Sequence, residues 1–241
     1  MSGSMTTSMD NRNANQSTLS MAGSSVRHGK YRFDYRSKHR PYESWDQFLV
    51  RNMGETDGHR IPPHLGGHLN KTHTDRGVLV HLINNLEINS MIDIGCGPGD
   101  MVEIAKDRGL RSLGVDGDWS LKETWNRKGI DVLEHDFTLG PPDNLTEFDL
   151  AWSVEFLEHV EEKFVPNFMA VFEQCKYAVV TAAPPGHGGH HHVNEQTQEY
   201  WGNKFSEYGF DIDPLLTNEI KDVSTMRKGF MQKNGMFFRK R

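Results

Sequence analysis

Cysteine is nearly missing from this sequence, with two in 241 residues, Cys96 and Cys175. Two thiols so far apart exclude a disulfide framework and a cysteine-based zinc site. Long apolar runs are missing too. No stretch approaches the roughly 20 residues that a membrane-spanning helix needs, and the N-terminus lacks the apolar core of a secretory signal. Nor is there a surplus of positive charge: 27 Lys and Arg stand against 33 Asp and Glu, a formal net charge of −6. The molecule as a whole is therefore no generic binder of polyanions. These absences predict a reduced, cytoplasmic protein that does not enter a membrane. Its 36% hydrophobic residues suffice for the core of one domain.

The first part of the chain carries little that folds. Residues 1–25 are Ser, Thr, Asn, Gly and Met without apolar periodicity, and they read as a disordered tail. Residues 26–72 form a basic aromatic arm and a loop. The arm interleaves Arg27, Lys30, Arg32, Arg36, Lys38 and Arg40 with Tyr31, Phe33 and Tyr35. Such a segment can pair with phosphates and stack on bases. The favoured reading is a solvated arm that lies against the acidic stretch 131–173, because charge runs usually mark solvated segments.

The domain proper, residues 73–241, is organised around Met91–Asp100, MIDIGCGPGD. Met91, Ile92 and Ile94 fit a buried parallel strand. Glycines follow at 95, 97 and 99, and then a helical pattern from Met101 to Lys106. Glycine suits a sharp turn on which a ligand lies directly against backbone. The dinucleotide fingerprint wants a third glycine where Asp100 stands. Asp93, just ahead of the turn, would oppose a pyrophosphate and welcome a cation. A nicotinamide-dependent oxidoreductase is disfavoured on both counts.

This run resembles motif I of the class I S-adenosylmethionine-dependent methyltransferases, (Asp/Glu)-x-Gly-x-Gly-x-Gly, and in particular their type 11 and type 23 domains. The resemblance implies an α/β fold, a seven-stranded and mostly parallel Rossmann-like sheet with helices on both faces. It also implies S-adenosylmethionine as cofactor, held by Asp93, Gly95, Cys96, Gly97 and Gly99. Six further segments read as strands: 111–116, 130–134, 148–153, 177–182, 210–214 and 236–238, the last inserted antiparallel. Asp116, at the end of the second strand and followed by Gly117, can accept protons from both ribose hydroxyls. Asp118 is the reserve, better suited to capping a helix. The resemblance implies that Asp136 and Phe137 flank the adenine, and Ser153 closes the list of cofactor contacts. Helices are expected after a cap at Thr74 or Asp75, and after a cap at Asn194.

Two clusters point to the chemistry. A helix starting near Val154 would place Glu155, Glu158 and His159 on one face, a plausible site for a divalent cation such as Mg²⁺. The same Glu-x-x-Glu-His pattern occurs in the ubiquinone-type O-methyltransferases and the small-RNA 2'-O-methyltransferases, where it accompanies a metal. Downstream, the loop HGGHHH, 187–192, brings four histidines to the catalytic edge of the sheet. His191, Glu155 and His159 are the expected catalytic residues, and Glu155, Glu158, His159 and His191 the expected metal ligands. The favoured reaction is O-methylation of a small-molecule, sugar or glycan hydroxyl. The alternative is RNA ribose 2'-O-methylation through the basic arm, and more remotely a non-catalytic cofactor-binding protein. The sequence carries no sign of oligomeric state.

Overall fold

The computed structural model describes residues 61–68 and 71–241. The expected tail and the basic aromatic arm at 27–40 lie outside the described residues.

Seven strands form one sheet: β1 Ser90–Ile94, β2 Arg111–Asp116, β3 Val132–Glu134, β4 Phe148–Val154, β5 Cys175–Thr181, β6 Phe210–Ile212 and β7 Met236–Lys240. Their spatial order is β3-β2-β1-β4-β5-β7-β6. The first five run parallel, and β7 lies antiparallel between β5 and β6. Chain order reverses beside β1, so the carboxyl ends of β1 and β4 flank a crevice where α/β sheets bind ligands.

Helices cover both faces: α1 Arg76–Asn85, α2 Asp100–Asp107, α3 Lys122–Lys128, α4 Val165–Phe172, α5 Gln198–Glu207, α6 Pro214–Val223 and α7 Phe230–Asn234. Alternation along the strands decides which residues meet which helices. Ile92, Ala151, Ala178 and Phe238 pack against Phe168, Phe172, Trp201 and Phe205 of α4 and α5. Their strand neighbours Met91, Leu150, Val179 and Phe237 pack on the other face, against Val78, Leu82, Ile104 and Ile220. The β1 sequence can thus be apolar nearly throughout, because the strand is buried on both faces.

β3 starts two residues later than expected and β5 two residues earlier, and two further boundaries differ in kind. Asn194 does not cap α5. Thr197 does, its hydroxyl accepting from the Tyr200 N–H at 3.1 Å, while the Asn194 N–H donates to the Glu158 carbonyl at 3.0 Å. Pro214 does not end β6 but opens α6, where the Asp213 carboxylate accepts from the Leu216 N–H. Proline is tolerated at a helix's first position because that N–H has no intrahelical partner.

Candidate active site

The glycine turn follows β1 as expected and is held from two sides. Gly95, Gly97 and Gly99 all have positive φ, at 74°, 51° and 79°. The Gly97 N–H donates to Asp116 Oδ2 at 2.7 Å, and the Gly97 carbonyl accepts from Trp125 Nε1 at 2.8 Å. The β2-end carboxylate and an α3 tryptophan therefore clamp the middle glycine. Trp125 is a support that its sequence position did not reveal.

Asp93 is buried, and burial, then the charges of Asp116 and Asp100, push its carboxyl well above the usual range. An acid so placed among acids is relieved by a cation, and a sulfonium or an ammonium fits. Cys96 is buried behind the turn, its thiol raised by burial and by the same two acids, Asp116 and Asp93. Ser153, fully buried in β4, donates to the Ile94 carbonyl at 2.9 Å and ties the ends of β1 and β4 together.

Asp116 and Asp118 divide the work. Asp116 accepts from two backbone N–H groups, those of Gly97 and of Asp118 at 2.9 Å, and each oxygen keeps a lone pair for another donor. Burial raises its pKa, and these two N–H donors pull it back. Asp118 is fully buried, capping a 3-10 turn at Trp119–Leu121 through the Ser120 N–H and hydroxyl and pairing with His68 Nε2 at 2.7 Å. Asp116→Ala should weaken cofactor binding by about 1–3 kcal/mol. Asp118→Ala should lower the melting temperature, because it leaves buried donors unsatisfied. Calorimetry and thermal melts on the pair separate the roles. Unchanged affinity in Asp116→Ala would move the ribose contact to Asp118.

Residues 61–68 lie over this cleft. His64 Nε2 is 2.9 Å from Asp136 Oδ2, and the His190 ring bonds the Pro63 carbonyl at 2.6 Å. A Cβ on Gly117 would meet Leu65 at 2.4 Å, and one on Gly97 would meet His68 at 3.3 Å. Burial raises the Asp136 carboxyl, but hydrogen bonds from His64 and Thr138 outweigh it and bring the pKa down to about 2. Phe137 is buried edge-to-face against Phe156 and Phe168.

At the end of β4 the structure corrects the expected helix. The strand runs on through Val154, Glu155 takes φ 53°, and a 3-10 turn covers Leu157–His159. The Glu155 carboxylate accepts from the Thr181 hydroxyl at 2.8 Å, and the Glu155 N–H donates to the same hydroxyl oxygen at 3.0 Å. Glu158 is fully buried, and neither of its carboxyl oxygens has a hydrogen-bond partner among the described residues. Burial, then the charge of Glu155, holds its pKa well above the usual range. Burial, with the neighbouring His192 and His190, lowers His159 to about 3.

Glu158, His159 and His192 offer ligand atoms all within 4.8 Å of one another. Glu155 and His191, expected in that set, stand outside it. His191 has φ 47°, with its ring 6.3 Å from that of His64 and 6.5 Å from that of His190. Its pKa is lowered by burial first and then by His64. His192 instead packs edge-on against His159, ring centroids 4.8 Å apart. Among the described residues, Asn144, Glu155 and His191 are the non-glycine residues with positive φ, and two of the three lie here. Such backbone strain, of order 1–3 kcal/mol each, concentrates at functional sites.

Residues 92–177 match the family model for a methyltransferase domain, the span from β1 through the start of β5 that holds the glycine turn and both acidic strand ends. The chain thus carries a methyltransferase domain. Among solved structures, the TehB-like S-adenosylmethionine-dependent methyltransferase from Corynebacterium glutamicum is similar in fold, with TM-score 0.51 and 16% identity over 70% of this chain and 90% of that one. The methyltransferase domain of bacterial CtHen1 matches with TM-score 0.48 and 18% identity, over 68% of this chain and 96% of that one. Magnesium protoporphyrin IX methyltransferase from Synechocystis PCC 6803, solved with S-adenosylmethionine, matches with TM-score 0.48 and 12% identity, over 67% and 74%. No curated protein matches the sequence. Among the described residues of this methyltransferase, no helix is long and apolar enough to cross a membrane.

Proposed function

We propose that this methyltransferase O-methylates a hydroxyl of a small molecule, a sugar or a glycan, with His192 in the base position that His191 was expected to fill. The observation that carries the reading is the group of Glu158, which is buried, with half-buried His159 and His192. It adjoins the cofactor cleft through His68, over Gly97, and the His190 ring, which a Cβ on Gly67 would meet at 2.7 Å. Bound S-adenosylmethionine supplies an electrophilic methyl group on a sulfonium. Asp93 answers its positive end, Asp116 takes the ribose hydroxyls, and Asp136 with Phe137 frames the adenine. The glycine turn lets backbone approach the ligand, while residues 61–68 shield it from water. An imidazole takes the proton of the acceptor hydroxyl as its oxygen attacks, and His192 is the group placed to do so.

The same group fits a divalent cation. A buried carboxyl and a buried His159 Nδ1 that meet no hydrogen-bond criterion among the described residues suit ligands of an ion. One carboxylate and two imidazoles suit a borderline ion such as Mn²⁺ or Co²⁺ better than Mg²⁺, which favours oxygen donors. A metal there supplies Lewis acidity toward the acceptor oxygen. Chelation tests this: activity should fall and return with Mn²⁺ more fully than with Mg²⁺. Indifference to chelator leaves His192 as base without metal.

The basic aromatic arm favours a second reading, methylation of an RNA ribose. Full-length protein should then bind RNA with a steep salt dependence that removal of residues 1–40 abolishes. Equal, weak binding by both proteins would set this reading aside.

A further inference from the structure

Glu195 holds the histidine loop together. Its Oε1 accepts from the Gly188 N–H at 2.6 Å, its Oε2 accepts from the Gly186 N–H at 2.7 Å, and His192 Nδ1 lies 2.8 Å from Oε1. Both partners of the last contact are largely shielded, with side-chain exposures of 11% for His192 and 16% for Glu195. A backbone N–H can only donate, so both carboxyl oxygens of Glu195 already act as acceptors. Nδ1 beside Oε1 is then a donor, and the neutral ring carries its proton there and its lone pair on Nε2. Those three hydrogen bonds outweigh the effect of burial and hold the Glu195 carboxyl below its ordinary range. The ring is also seated closely on the loop: a Cβ on Gly189 would lie 2.1 Å from Nε2, so only glycine at 189 leaves that nitrogen room.

We propose that Glu195 is the positioning residue of the site: it fixes His192 as the Nδ1–H tautomer and so keeps the Nε2 lone pair available to take a proton or bind a cation. The same carboxylate, through Gly186 and Gly188, ties the start of the loop to its end and sets where the ring stands. The inference rests on the proposed role of His192. Carboxylate-oriented imidazoles serve both general bases and metal ligands, because the hydrogen bond at one nitrogen decides what the other can do.

The test is a long-range ¹H–¹⁵N spectrum of the full chain, in chelator at pH about 8, where an ordinary imidazole is neutral. Chelator is needed because a bound ion would itself fix the tautomer. The His192 ring is assigned by its loss in His192→Gln. The parent should show the Nδ1–H pattern. Glu195→Ala should shift it to the Nε2–H form that free histidine prefers, and Glu195→Gln, which keeps an acceptor oxygen, should retain Nδ1–H. Cofactor affinity by calorimetry should stay within about twofold in both variants, since Glu195 is assigned no contact with the cofactor. An Nε2–H parent, or a folded Glu195→Ala that stays Nδ1–H, would overturn the proposal. If Glu195→Ala does not fold, the parent and Glu195→Gln spectra decide it. Failure of the underlying reading looks different: His192→Ala would methylate at the parent rate whatever tautomer the parent shows.

Discussion

Gly97→Val should abolish binding of S-adenosylmethionine while leaving the protein folded. Gly97 sits at φ 51°, where an L side chain costs roughly 1–2 kcal/mol and a β-branched one at least that. Its Cβ would lie 3.3 Å from the Cβ of His68, so two methyl groups would fill the space between the glycine turn and the segment above it. The substitution also disturbs a residue bonded on both sides, to Asp116 through its N–H and to Trp125 through its carbonyl. Asp116, proposed to take the ribose hydroxyls, loses a donor that orients its carboxylate, so the damage reaches beyond the filled space. Calorimetry should show affinity reduced at least a hundredfold, about 3 kcal/mol. The parent should bind S-adenosylmethionine and its demethylated product and show no binding of NAD. A variant that binds with parent affinity would place the ligand elsewhere. A parent that binds NAD tightly and S-adenosylmethionine not at all would contradict the assignment of the cleft.

The framework of the site was open to sequence reading because it depends on local signals. The apolar run of β1, the alternating glycines and the acid closing β2 each follow from neighbours in the chain. The split between Asp116 and Asp118 was legible as well, since Asp118 stands where a cap accepts from the Ser120 N–H. The end of β4 was not. Val154, Leu157 and Glu158 have helical spacing, but the Thr181 hydroxyl on the neighbouring strand holds the Glu155 backbone and side chain in a non-helical conformation. That contact spans 26 residues of sequence and leaves no local trace.

The choice among adjacent histidines was hidden for a related reason. His190, His191 and His192 are alike in composition, and their directions are set by backbone angles and distant partners. His191 turns at φ 47° toward His64, and His190 reaches the Pro63 carbonyl. His192 is left to meet His159 and Glu195. His64 and His68, loop histidines that could line a pocket, matter because the 61–68 segment folds back on acids more than 40 residues away, Asp136 and Asp118. A sequence shows that loop histidines exist. It does not show which carboxylate they find.

His192→Ala should cost turnover a hundredfold or more, and His191→Ala less than tenfold. General-base catalysis contributes roughly 10²–10⁴ in rate, and the loss of a metal ligand costs a comparable factor. The prediction therefore holds under either account of the site. Glu158→Gln should behave like His192→Ala. Its carboxyl is buried, meets no hydrogen-bond criterion among the described residues and lies within 4.8 Å of a ligand atom of each imidazole, and an amide there can neither balance an imidazolium nor ligate as a carboxylate. Cofactor affinity should be nearly unchanged in all three variants, because the proposal gives their side chains no contact with the cofactor. The measurement is transfer of labelled methyl from S-adenosylmethionine to hydroxyl acceptors in a metabolite extract, scored at saturating cofactor. Parent-level transfer by both His192→Ala and Glu158→Gln would remove the cluster from catalysis. A large loss in His191→Ala with none in His192→Ala would return the base to His191, whose strained backbone would then need an acceptor to explain it.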